Sequence, residues 1–242
     1  MRPGLVVGAL AVVGALSATA HAAQQGAVRR DPVASTVRQV PPPVVAAPSE
    51  VPAPSAARRA GADPAWVRRT AGRAGIPVPA LTAYAGAALA APPDCHLGWT
   101  TLAGIGWVES QHGTIGGRTL AADGRSSEPI LGPALDGGAF AAIPATPESA
   151  ALHGDPDWDH ALGPMQFIPS TWQTWSRDGD GDGAADPHDL DDAAAAAAAY
   201  LCASGDLGTG AGWSAGVFSY NHSAEYVARV HAAASAYAAR VG

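Results

Sequence analysis

The run Gly104-Ile105-Gly106-Trp107-Val108-Glu109-Ser110-Gln111-His112-Gly113 sets one carboxylate, Glu109, among apolar neighbours. Ile105 lies four residues before it and Leu102 seven. On a helix of 3.6 residues per turn the three share one face. Gly113 reads as the C-cap of that helix, which puts Glu109 in the last turn, where unsatisfied carbonyls make the potential negative. Burial and the carbonyl end of the dipole both disfavour the anion and push the carboxyl towards its protonated form near neutral pH. That is the state a general acid needs. The competing reading is a helix-end Glu turned out to solvent, and this stretch alone favours it.

Caps and breakers outline the elements that must position Glu109. Asp63-Pro64 starts a first helix through Trp66, Val67 and Thr70, closed by Gly75. Pro79 opens a second helix through Leu81, Tyr84 and Leu89, Pro92-Pro93 ends it, and Asp94 is the expected cap of the Glu109 helix. The rest reads as helices and long loops without a period-2 strand. Residues 114–160 are rich in Gly, Pro and Asp and too long for a plain connection, which points to a functional loop or one that wraps a cleft.

Two later segments carry further polar groups. In Gly163-Pro164-Met165-Gln166-Phe167-Ile168-Pro169-Ser170, Gln166 stands between apolar residues, either pointing into a cleft or bonding backbone in a turn. Ser170 with Gln173 reads as a capping box. In Phe218-Ser219-Tyr220-Asn221-His222-Ser223, Asn221 or Ser223 caps a last helix whose buried stripe is Tyr226, Val230, Ala234 and Tyr237. Tyr220 is either core or a hydroxyl offered to the acid.

Charge and export signals narrow the function classes. The chain has 242 residues and no Lys. Residues 1–75 carry a net +6 and residues 76–242 a net −13. The folded part has no basic face for a phosphate backbone, so nucleic acid is not an expected partner. Met1-Arg2, an apolar run from Leu5 to Leu16 and small residues through Ala22 match an export signal over 1–22. Left uncleaved, the short run would serve as a membrane tether. Residues 23–62, with Pro41-Pro42-Pro43, read as a Pro/Ala-rich disordered linker, and 63–242 as the folded domain. The expected location is secreted or at the cell envelope.

Taken in order, the three segments resemble the lytic transglycosylases of the lysozyme-like superfamily. Glu109-Ser110 matches the Glu-Ser motif, Gly163 to Ser170 matches Gly-x-Met-Gln-Phe with Pro-Ser, and Tyr220-Asn221 matches Tyr-Asn. The similarity covers roughly residues 63–242 and looks closest to the membrane-bound B-type branch in its actinobacterial form. It implies a mainly α, lysozyme-like helical domain with long loops and an EF-hand-like calcium loop. It implies cleavage of peptidoglycan between N-acetylmuramic acid and N-acetylglucosamine, leaving 1,6-anhydro ends, by a monomer without an organic cofactor. Glu109 would be acid and then base, with Ser110, Met165, Gln166, Phe167, Tyr220 and Asn221 at the substrate.

The loop from Asp178 to Asp189 adds a metal expectation. Acids at positions 1, 3 and 5, Gly183 at 6 and an acid at 12 follow EF-hand spacing. Asp178, Asp180, Asp182, the carbonyl of Ala184, Asp186 and Asp189 would hold a structural Ca2+. Asp189 stands where the pattern has Glu, and its shorter arm weakens bidentate ligation. A solvated acidic turn is the alternative. His153, Asp155, Asp157, Asp159 and His160 match no ligand spacing. Cys95 and Cys202, the sole pair in an exported chain, are expected to form a disulfide, against two buried thiols. Two rival functions remain: a hydrolytic muramidase using Asp155, Asp157 or Asp159 as second carboxylate, and a non-catalytic, calcium-stabilised wall-binding module.

Overall fold

The computed structural model describes residues 61–138 and 140–242. The expected export signal and all but the last two residues of the linker lie outside them. Eight α-helices follow in order: α1 Pro64–Ala74, α2 Val78–Ala90, α3 Trp99–Ser110, α4 Pro147–His153, α5 Pro169–Trp175, α6 Leu190–Cys202, α7 Gly210–Tyr220 and α8 Ala224–Val241. Single-residue bridges stand in place of strands among the described residues. The fold is mainly α, as expected. No helix among them is long and apolar enough to cross a membrane.

Local chemistry explains most helix ends. Asp63 Oδ1 accepts from the backbone N–H of Ala65 at 2.6 Å and Trp66 at 3.1 Å, and Gly75 closes α1 in the left-handed region. Ser223 caps α8 through Tyr226 N–H. Two expected caps are corrected. Asp94 sits in a short 3-10 turn, Pro93–Cys95, and α3 starts from Gly98 without a side-chain cap. Helix α5 starts two residues earlier than a Ser170 cap would place it, with Ile168 at the cap, because Pro169 takes the first helical position, where its fixed φ is already helical.

The core is organised around α3. It is buried on every side from Trp99 to Gly106, so its apolar residues do not mark one face. Its largest contact is with α8, and the other large seam joins α2 to α6. Glycine makes the first seam possible: a Cβ on Gly104 would stand 2.9 Å from the Val230 carbonyl oxygen of α8. The second seam is built from alanine, with Ala80, Ala83 and Ala87 of α2 and Ala193, Ala194 and Ala197 of α6 all buried. Small side chains on both helices let the backbones approach closely.

Cys95 and Cys202 are bonded, tying the turn before α3 to the end of α6 across a separation of 107 residues. A loop of that length corresponds to about 4–5 kcal/mol in the chain-entropy account. The double variant Cys95→Ser/Cys202→Ser should melt roughly 10 °C lower, since each kcal/mol moves the midpoint of a domain this size by about 2–4 °C. An unchanged midpoint would mean that the unfolded chain is already constrained without the bond.

Candidate active site

Glu109 occupies the last turn of α3, but its hydrogen-bond partner comes from α8. Tyr226 donates its hydroxyl hydrogen to Glu109 Oε1 at 2.5 Å. Burial pushes the Glu109 carboxyl up to about 8, against smaller opposing effects of the Tyr226 hydrogen bond and the Arg229 charge. The residue as a whole is half-buried because one side opens on a cleft, while the carboxyl itself is shielded. A carboxylic acid that keeps its proton at neutral pH beside an open cleft can protonate a leaving group there.

The helix end is held in an unusual backbone path. Gln111 caps α3 at φ 54°, followed by His112 at φ 61° and Gly113 at φ 81°. Two non-glycine residues in the left-handed region carry local strain that neighbours must hold in place. His112 is the anchor. Its Nδ1 lies 3.1 Å from the Tyr84 hydroxyl of α2 and its Nε2 lies 2.9 Å from the Tyr237 hydroxyl of α8. Burial lowers its pKa to about 4, so a neutral ring links α2, α8 and the end of α3.

The three sequence segments meet here, mainly by bonding to one another. Ser110 is fully buried, and its Oγ donates to the Pro164 carbonyl at 2.6 Å while accepting from Gly113 N–H. Tyr220 donates to the Met165 carbonyl at 2.8 Å and its ring stacks on Tyr226. Met165 and Phe167 are core residues, with Phe167 packed on Trp172 and Tyr220. Asn221 is buried, and its Nδ2 has no partner among the described residues. Gln166 alone of these lines the cleft. It adopts φ 52°, and its Nε2 donates to the Gly163 carbonyl. Gly163, at φ 68°, has the Pro187 carbonyl where a side chain would begin, so the turn admits glycine there.

The cleft encloses about 460 Å³ between α3, α8 and the loops at 115–118, 130–133 and 166. Exposed Trp107, Ile115 and Leu131 supply apolar walls, and Arg118 and Arg229 supply positive charge. Glu109 is the one carboxyl among the described residues that line it. A second groove of about 520 Å³ between α2 and α6 has Arg177 as its sole ionisable side chain, so acid–base chemistry belongs to the first. The candidate second carboxylates lie elsewhere. Asp155 is bound to His160 and two backbone N–H groups, which hold it down to about 2. Asp159 is buried against Ser149 and His153, and Asp157 is an exposed loop residue.

The acidic loop is only partly arranged as its spacing suggests. Carboxylate oxygens of Asp178, Asp180 and Asp192 come within 4.8 Å of one another. Asp189, at loop position 12, caps α6 through Asp191 N–H and faces Arg125 at 3.8 Å. Asp186 is paired with Arg125 at 2.6 Å. The carboxylates of Asp182 and Asp180 accept backbone N–H bonds within the loop. Asp192, which the spacing rule passes over, takes the place of Asp189 because α6 brings its first turn back against Gly179. Three converging hard oxygens suit a cation such as Ca2+.

Residues 153–226 match the family model described as the transglycosylase SLT domain. Over that stretch, less than a third of the chain, the protein is similar to a transglycosylase SLT domain. With the helical fold, the match supports a lytic-transglycosylase-like enzyme, a class that acts on peptidoglycan outside the cytoplasmic membrane. The matched stretch takes in the Gln166 segment, the acidic loop, Tyr220 and Tyr226, while Glu109 precedes it. Neither a curated protein nor a solved structure matches the chain.

Tyr226 was assigned above to a buried apolar stripe, and in the structure its hydroxyl is bonded to Glu109. A signal was present: a tyrosine buried on a helix stripe needs a partner for its O–H. Without that hydrogen bond the Glu109 anion loses support, and one bond to a charged group is worth about 1.5–3 kcal/mol, or roughly 1–2 pH units. Tyr226→Phe should therefore move the alkaline limb of the kcat/KM profile on peptidoglycan upward by about one unit and reduce kcat. A limb that stays in place would show that Glu109 is not the titrating group.

Proposed function

We propose that the enzyme breaks the bond between C1 of N-acetylmuramic acid and O4 of N-acetylglucosamine, and closes the muramoyl C6 hydroxyl onto C1 to leave a 1,6-anhydro end. The observation that carries this reading is a cleft with a single carboxyl, protonated at neutral pH, where hydrolysis would call for two. Tyr226 holds Oε1, leaving Oε2 to give its proton to O4 as the C1–O4 bond breaks. Glu109, now a carboxylate, takes the proton of the C6 hydroxyl while O6 bonds to C1. No water is consumed, and the acid is restored in one cycle.

The remaining cleft residues bind and orient. Gln166 spends Nε2 on Gly163, and its Oε1 is left to accept from an N-acetyl N–H. The half-exposed ring of Trp107 offers a face for a sugar ring. Ser110, Met165, Phe167 and Tyr220 fix the backbone that presents Gln166, and act behind the substrate rather than on it. The apolar run within residues 1–22 would export the chain or tether it to the membrane.

Glu109→Gln keeps the shape of the side chain but cannot move a proton. Turnover should fall by about 10²–10⁴-fold, the usual worth of acid–base catalysis, with glycan binding retained. Mass analysis of muropeptides released by the parent enzyme should find anhydro ends. Reducing ends would make water the nucleophile and return the enzyme to the hydrolases.

We also infer that Asp178, Asp180 and Asp192 would hold Ca2+ and that it acts on stability alone, since the loop is absent from the cleft lining. A bound ion would offset the repulsion among these acids and brace the start of α6. At a hundredfold excess over Kd it adds about 2.7 kcal/mol. Chelator should lower the melting temperature of the protein by several degrees, and Asp178→Ala/Asp192→Ala should abolish the response. An identical melting curve with and without chelator would leave the loop a plain acidic turn.

A further inference from the structure

Arg229 stands out among the charged groups of the cleft. It follows Tyr226 by three residues on α8, so the two side chains emerge on the same side of the helix, and Arg229 lines the cleft with Glu109 and Gln166. It is exposed, and among the described residues it makes neither a hydrogen bond nor an ion pair, even with Glu225 one turn earlier. Arg118 across the cleft is different. It donates to the carbonyls of Ile115, Glu128 and Pro129 and lies 3.8 Å from the Glu128 carboxylate.

An uncommitted guanidinium here works against the chemistry proposed for the empty cleft. Its charge favours the ionised form of Glu109, the form that cannot donate a proton. A substrate anion bound to Arg229 would cancel that field and leave the acid protonated when a strand is in place. The net −13 of residues 76–242 makes an unpaired cation in the cleft more conspicuous, because acids that could neutralise it are plentiful elsewhere. Guanidinium groups suit carboxylates, which they bind through paired N–H donors.

We propose that Arg229 is a specificity-determining residue that binds a carboxylate carried by the muramoyl sugar next to the scissile bond. This rests on the proposed reaction, and it names the substrate feature selected by the same site. Two sources offer that chemistry. One is the lactyl carboxylate of the sugar, free on strands whose peptides have been removed. The other is a carboxylate of the stem peptide, present on intact strands.

The test compares kcat and KM of the full chain and of Arg229→Gln and Arg229→Lys on three glycan preparations. These are strands with stem peptides, strands stripped of them by an amidase, and stripped strands whose lactyl carboxylates have been converted to amides. The parent enzyme should prefer one or both carboxylate-bearing preparations over the amidated strands by about 10–100-fold in kcat/KM, the worth of one charge-assisted contact. Arg229→Gln should collapse that preference through KM, and Arg229→Lys should restore part of it. Collapse confined to stripped strands assigns the lactyl group, and collapse confined to intact strands assigns the peptide. A preference as large in Arg229→Gln as in the parent, or no preference in the parent, overturns the proposal while leaving the reaction intact. A parent enzyme that cleaves none of the three overturns the reaction itself.

Discussion

A carboxyl group removed from water with one phenol for a partner is costly to keep, and the structure around α3 is arranged to keep it. Between pH 4.5, the ordinary value for Glu, and about 8, the folded chain holds a proton on Glu109 that the unfolded chain releases. Stability therefore declines as pH rises through that window, and the full cost is present above it. What offsets the cost is the packing of α3 on its neighbours. Leu102, Ala103 and Ile105 are fully buried, Gly104 lets the α8 backbone close on α3, and Gly106 leaves room for the Tyr84 side chain of α2. The same closeness that stabilises the helix also shields the acid from solvent.

Many of the contacts that the three segments make are with one another. Ser110 holds Pro164, Tyr220 holds Met165, and Tyr220 stacks on the Tyr226 ring that holds Glu109. A displacement in one segment would reach the acid through these hydrogen bonds. Gln166 lines the cleft because its flanking residues are anchored in the core, at a left-handed backbone position that only fixed neighbours sustain. His112 does the corresponding work at the other end, with both ring nitrogens occupied by tyrosines from different helices.

Bracing continues away from the cleft. The disulfide joins the entrance of α3 to the exit of α6, and the acidic loop folds against the start of α6. Helix α6 thus has both ends secured, and its alanine surface supports α2, whose Tyr84 reaches His112. The long 114–162 segment contributes one wall of the cleft. It is held by its own polar cluster, in which His160 binds Asp155 and Gly132, and Asp159 binds Ser149 and His153.

Local chemistry made a good part of this legible from residues alone. Asp63 and Gly75 delimit α1 because capping depends on near neighbours, and Glu109 falls in the last turn of its helix as expected, although the cap is Gln111, two residues before the expected Gly113, at a left-handed position that its neighbours must hold. The cysteine pair and the helical class were legible for similar reasons: two cysteines allow one intramolecular bond, and long helical segments carry their own signals. Tertiary structure decided the rest. Periodicity placed Glu109 on an apolar face, yet α3 is buried from Trp99 to Gly106, and what raises the pKa is burial in the assembled fold, against which Tyr226, 117 residues later in the chain, supports the anion. Spacing nominated Asp189 for the loop, but a residue can cap a helix or face the loop's centre, and the direction of α6 gave the second place to Asp192. Tyr226 looked like core because a helix stripe records which side of a residue is buried. Which group meets its hydroxyl depends on where a distant helix ends.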